Sequence, residues 1–177
     1  HTRWATTGEV SVVNAHPHLS SDKSFTLAQN GIVENYQALK TQLSQKGHQF
    51  ISQTDTEVIV RLIEDKQNLS ADLEMAVAAA LKELQGRNTV ILVTKTGQIL
   101  AARNGSPLVV GKNQQTKDIF LSSDTLSFNG LVDQILVVDN QQLVIITPAG
   151  LKLIDLGTNR EIKANFQPLI MAKNTIS

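Results

Sequence analysis

The feature that most constrains this chain is a change of hydrophobic period at Asn88. Before it, apolar residues recur at helical spacing; after it they come in short runs rich in Val, Ile and Leu, separated by turns. From Glu34 to Gln45, Leu39 and Leu43 stand four apart, and Gly47 follows where a left-handed cap is wanted, so a helix is expected there. Gln49 to Ser52 alternates like a short strand. Thr54-Asp55-Thr56-Glu57 has the form of a capping box ahead of Val58, Ile59, Leu62 and Ile63, which predicts a second helix ending near Lys66. Ser70 is expected to open a third, whose stripe is Leu73, Val77, Ala80, Leu81 and Leu84 before Gly86.

The strands expected after Asn88 are Thr89 to Val93, Gln98 to Ala102, Leu108 to Val110, Ile119 to Leu121, Gln134 to Val138, Leu143 to Thr147 and Leu151 to Ile154. Grouped helices followed by grouped strands predict α+β layers with an antiparallel meander, not the alternation that a parallel βαβ sheet needs. Residues 1 to 31 read mostly as structured loop, with one strand-like run at Ser24 to Ala28. Residues 1 to 163 are expected to form one domain and Ala164 to Ser177 a tail without clear period.

Composition removes several classes of function. Lys plus Arg and Asp plus Glu number 16 each, and aromatics are 4%, so neither a basic field nor a stacking platform for nucleic acid is expected. Apolar stretches are far too short for a membrane span, and the opening His1-Thr2-Arg3-Trp4 carries no readable secretion signal, which predicts a cytoplasmic protein. That opening reads as a piece of something longer. No cysteine is present, which excludes disulfides, thiolate metal sites and a Cys nucleophile within these 177 residues.

Four segments carry candidate chemistry. The opening loop gathers Arg3, Trp4, Thr6, Thr7, Asn14, His16 and His18; an Arg can fork onto a carboxylate and the hydroxyls can complete a polar pocket, though composition alone favours a solvated loop. His16 and His18 lack the further ligands that zinc needs, so no metal is expected and backbone-satisfied imidazoles are the simpler reading. Asn30-Gly31 offers a side-chain amide beside a backbone N–H, the pattern of an oxyanion hole or of a plain Asn-Gly turn. Asp55 in the first turn of a helix serves equally as structural cap or functional carboxylate. The turn Arg103-Asn104-Gly105-Ser106-Pro107 suits an anion or a strand connection.

Taken in order, HTRWATTGE, NAHPH, QNGIVEN, SQTDTEV, AARNGSPLVVG and a Ser-Ser-Asp segment resemble the glutaminase domain of the glucosamine-fructose-6-phosphate aminotransferases, from His1 to roughly Thr147. The resemblance implies the N-terminal nucleophile hydrolase fold, an αββα sandwich with antiparallel sheets, here incomplete at the N-terminus. It implies hydrolysis of glutamine to glutamate and ammonia, with no cofactor and no metal. By resemblance Arg3 pairs with the glutamine α-carboxylate, Asp55 binds the α-ammonium, and Asn30 with the Gly31 N–H stabilises the oxyanion. Thr6 and His16 line the pocket, and Trp4 belongs to its closure and to the ammonia route. The implied partners are glutamine or glutamate, an N-terminal segment bearing the family's Cys nucleophile, and a sugar-isomerising domain, with neither nucleic acid nor membrane; a homodimer is compatible with the family. Thr7 stands where the family usually has His. Because the Cys is absent, the alternative is a non-catalytic module that binds glutamine or a related amino acid.

Overall fold

The computed structural model describes residues 7–70 and 72–169. Its helical part begins with α1 (Tyr36–Gln45), which buries Leu39 and Leu43 and ends at Gly47 with φ +95°. α2 (Asp55–Gln67) starts at Thr54, whose hydroxyl accepts the Glu57 N–H at 3.3 Å. Only this half of the expected capping box forms. The Glu57 carboxylate turns instead to the N–H groups of Ile51 (3.1 Å) and Ser52 (2.6 Å). Residues 49–52, expected as a strand, are therefore not one: their donors are spent on a helix side chain rather than on a ladder.

α3 (Leu73–Glu83) is capped by Asp72, which accepts the Glu74 N–H at 2.9 Å, and not by Ser70 as expected. The Ser70 N–H is already used on the Lys66 carbonyl, so Ser70 completes the end of α2. α2 lies between α1, α3 and the sheet, and Val58, Ile59, Val60, Leu62 and Ile63 are all buried. Nearly the whole circumference of α2 is core, which is why its charged residues must find partners: Arg61 pairs with Glu57 at 3.1 Å and with Glu64 at 2.9 Å.

The strands are β1 (His18–Leu19), β2 (Phe25–Gly31), β3 (Asn88–Thr94), β4 (Ile99–Asn104), β5 (Val109–Lys112), β6 (Ile119–Ser122), β7 (Gln134–Val137), β8 (Gln142–Thr147), β9 (Gly150–Asp155), β10 (Arg160–Ile162) and β11 (Gln167–Pro168). They do not form one meander. A seven-stranded antiparallel sheet has the order β1-β2-β3-β4-β8-β9-β10, and a second sheet the order β11-β7-β5-β6. The chain leaves the first sheet through Gly105, at φ +76°, and the Ser106-Pro107 segment, whose carbonyls both accept the Thr89 hydroxyl. The sequence pattern does not mark this exit, because both sheets use the same residue types.

Both faces of the large sheet are buried. Phe25, Leu27, Val90, Leu92, Leu100 and Ile145 meet the helices, while Ala101, Val144 and Leu153 meet Leu108, Val110, Leu136 and Val138 of the second sheet. Strands covered twice read as unbroken apolar runs rather than alternation. On the outer face of the second sheet a 3₁₀ turn (Thr125–Phe128) lays Phe128 against Gly111, where a Cβ would come within 3.1 Å of the ring. Ala164 and Phe166 pack on the second core and β11 pairs with β7, so the stretch expected as a tail is part of the sheet through Leu169. Pro168 is tolerated there because β11 is an edge strand. Among the described residues no helix is long and apolar enough to cross a membrane.

Burial pushes the Glu57 carboxyl upward, but Ser52, the Ile51 and Ser52 N–H groups and Arg61 together hold it below its ordinary value. A lowered carboxyl contributes stability that is present above the unfolded value and lost as pH falls through the folded one. Chemical unfolding followed as a function of pH should show stability falling below pH about 4. Glu57→Gln should lose about 1–3 kcal/mol at neutral pH and show a smaller acid decline than the parent chain.

Candidate functional site

The N-terminus of α2, the end of β2 and the loop from Thr7 to His18 meet at one corner. Asn14, buried in this loop, accepts the Gln53 N–H at 2.9 Å and donates to the Glu9 carbonyl and the Gln53 side chain. The Glu9 N–H also reaches Gln53, at 3.0 Å, and a Cβ on Gly8 would lie 2.9 Å from both Asn14 and Gln53. This clamp seats the loop on the residue just before the α2 cap. His18 Nε2 then lies 2.9 Å from the Thr54 hydroxyl and His16 Nε2 2.8 Å from that of Thr56, the two rings edge to face at 5.8 Å. Side-chain hydroxyls of the α2 start are thus partners of both imidazoles.

Thr56 in turn donates to the Gln29 side chain at 2.7 Å, which joins the loop and α2 to β2 one residue before Asn30. Phe25, Leu27 and Gln29 alternate on the helix-facing side of β2, so Asn30 projects from the other face, where it is exposed. Gly31 has φ +108°, and a Cβ there would stand 2.0 Å from the Arg87 carbonyl oxygen. The Ile32 N–H donates to that same carbonyl. Alternation in an antiparallel pair therefore turns the Gly31 N–H away from β3, beyond the residues that β1 covers.

Asp55 is 4% exposed and is the first residue of α2, where the helix dipole favours negative charge. One carboxylate oxygen accepts the Val33 N–H at 2.8 Å, and no cation of the described residues pairs with it. His16 is thus joined to β2 through Thr56 and Gln29, and Asp55 to the residues just after β2 through Val33, while Asn30 and Gly31 follow Gln29 on the strand with the Asn30 side chain on the opposite face. Arg3, Trp4 and Thr6 lie outside the described residues. The Arg103 turn is a strand connection: Arg103 donates to the Val138 carbonyl and the Gly105 N–H to Asn140. Sequence reasoning missed Gln29, Gln53 and Thr56 as members of the corner. Thr56 was visible only as an interior letter of a capping box, and Gln29 only as a polar residue in an apolar row.

Residues 1–129 match the model of a glutamine amidotransferase domain. The chain belongs to this family. A glutamine–fructose-6-phosphate aminotransferase (isomerizing) of Bacteroides thetaiotaomicron is 43% identical over 160 residues, which are 88% of this chain and 26% of that protein. The enzyme of the same name from Pseudomonas syringae pv. tomato is 42% identical over 148 residues, 82% of this chain and 24% of the relative. The chain thus spans about a quarter of the length of the curated relatives it matches. In three dimensions it is similar to the glutamine phosphoribosylpyrophosphate amidotransferase of B. subtilis complexed with ADP and GMP, with TM-score 0.75 and 27% identity over 88% of this chain and 34% of that one. The amidotransferase domain therefore has the N-terminal nucleophile hydrolase fold, with antiparallel sheets stacked beside a helical layer.

In this amidotransferase domain Gly31 and Gly47 separate two glycine requirements. At Gly47 nothing lies within 4 Å of a built Cβ, so Gly47→Ala should cost only the left-handed strain, about 1–2 kcal/mol. Gly31→Ala must also displace the Arg87 carbonyl and should cost distinctly more in urea unfolding; equal costs would show that the β2–β3 contact is soft.

Proposed function

We propose that this domain binds glutamine and, joined to a nucleophile-bearing segment and a sugar-isomerising domain in a longer parent, releases ammonia for transfer to a sugar phosphate. The observation that carries the reading is Asp55: a buried carboxylate with one oxygen on a backbone N–H and no cationic partner among the described residues. A buried charge left unpaired is costly, and the α-ammonium of an amino acid supplies the missing counter-charge. Arg3 would hold the α-carboxylate with a two-pronged hydrogen bond, an anion at one end of the ligand balancing the cation at the other. Thr6 and His16 would shape the pocket between them, and Trp4 would exclude water from it.

Hydrolysis requires attack on the side-chain amide carbon, which places negative charge on the carbonyl oxygen. The Gly31 N–H, turned away from the β3 ladder, and the exposed Asn30 amide would donate to that oxygen, and such preorganised donors stabilise the tetrahedral intermediate without reorganising. None of the 177 residues is a cysteine, so the thiol must come from outside them. That absence favours a second reading for the chain by itself, a module that binds glutamine without hydrolysing it. The metabolic role of the parent would be cytoplasmic.

Glutamine or glutamate at ten times its dissociation constant should stabilise the chain by about 1.4 kcal/mol, a rise in melting temperature of roughly 3–6 °C. Asp55→Asn keeps an acceptor for the Val33 N–H and removes the charge, so it should abolish the rise, as should Arg3→Ala. An undiminished rise in Asp55→Asn would remove the ammonium role. Supplying an N-terminal segment with its leading Cys should produce glutamate, and the same segment with Cys changed to Ala should not; glutamate release by the 177-residue chain alone would mean that the nucleophile lies elsewhere.

A further inference from the structure

The hydrogen bonds that link His16 to β2 have a direction. Thr56 Oγ1 lies 2.8 Å from His16 Nε2 and 2.7 Å from Gln29 Oε1. A hydroxyl has one proton, and an amide oxygen only accepts, so the Thr56 proton goes to Gln29. The bond to His16 is then made with the proton of the imidazole. The neutral ring is held with its hydrogen on Nε2, which leaves Nδ1 as its accepting nitrogen.

Gln29 itself sits against the local pattern. It follows Phe25 and Leu27 in the helix-facing row of β2, where period-two alternation asks for an apolar residue. It is 5% exposed, and its Nε2 has no hydrogen-bond partner among the described residues. An apolar side chain of similar size would avoid burying that donor, so packing does not explain the amide. What the amide adds is the carbonyl oxygen that orients Thr56, one residue before Asn30 and one residue after Asp55 on the facing helix.

We propose that Gln29 and Thr56 are positioning residues: the Gln29 carbonyl sets the direction of the Thr56 hydroxyl, which fixes the orientation and the protonated nitrogen of the His16 ring. The relevance of that ring to glutamine rests on the reading above, but the relay is a property of the chain without ligand.

The test is nitrogen-15 NMR of the 177-residue chain labelled at histidine, above the titration range of imidazole, with His16 assigned by its loss in His16→Ala. His16 should show the hydrogen on Nε2. Thr56→Val, nearly isosteric, and Gln29→Leu, which acts one bond further away and removes the unpartnered donor, should each shift the tautomer ratio by roughly fivefold toward Nδ1–H, the effect of one net hydrogen bond. Thr56→Ser, which restores a hydroxyl, should bring the ratio back. Gln29→Leu should melt no lower than the parent, whereas a purely structural Gln29 would make it less stable. A His16 ring carrying its hydrogen on Nδ1 in the parent chain, or a ratio unmoved in both Thr56→Val and Gln29→Leu, would overturn the proposal. If the ring behaves as expected while glutamine gives no thermal stabilisation, the relay stands and the glutamine reading falls.

Discussion

Much of this molecule is organised by a carboxylate that water does not reach. Glu57 is 1% exposed and draws on Ile51, Ser52 and Arg61 to remain charged there. In satisfying itself it folds the connection between α1 and α2 back onto the helix start and frees the Thr54 side chain to cap. Arg61 passes the constraint on to Glu64 and to Ser21 in the β1–β2 connection, whose N–H Glu64 also accepts. Replacing such a network by apolar residues need not weaken a protein, whereas removing one member leaves a buried charge alone. The consequence here is geometric. With the start of α2 held by Glu57, Asp55 and Thr56 are delivered to the end of β2.

The second constraint is the division of the strands. β4 pairs with β8, so the 37 residues between Asn104 and Gln142 make an excursion that builds most of the second sheet before the chain returns. Antiparallel pairing tolerates this because each ladder needs only a neighbour of opposite direction, not a neighbour in sequence. Burial on both faces of the large sheet leaves its strand ends as the places where polar groups can gather. At one such end β1 is too short to cover Gly31, and the Thr7–His18 loop closes beside it on the Asn14–Gln53 clamp.

The histidines of that loop show how a motif changes meaning in three dimensions. Two imidazoles separated by one residue suggest a shared ligand, yet each takes a different threonine of the same helix start. The family membership explains why these letters occur together, and the hydrogen bonds explain what holds them. Asn30, by contrast, was legible as a candidate from its dipeptide with Gly31, and the structure puts its side chain on the face opposite Gln29, since the strand alternates.

Local chemistry was readable from the letters alone. The helix spacing of Leu39 and Leu43, the Thr54 cap, the stop at Gly47 and the β-branched runs after Asn88 are set by neighbours within four positions, and each appears in the structure within a few residues of its expected place. The motifs HTRWAT, NAHPH and QNGIVEN likewise carry the family in the sequence itself. What only the tertiary structure decided was where the long-range polar groups go. Glu57 chose the N–H groups of residues 51 and 52 over its own cap, which cancelled a strand; β4 chose β8 over β5, which made two sheets from one pattern; and Thr56 chose Gln29 and His16. Buried donors and acceptors must be paired with whatever the fold brings near, so their partners lie beyond the reach of helix and turn rules, from 5 positions away for Glu57 and Ser52 to 40 for Thr56 and His16.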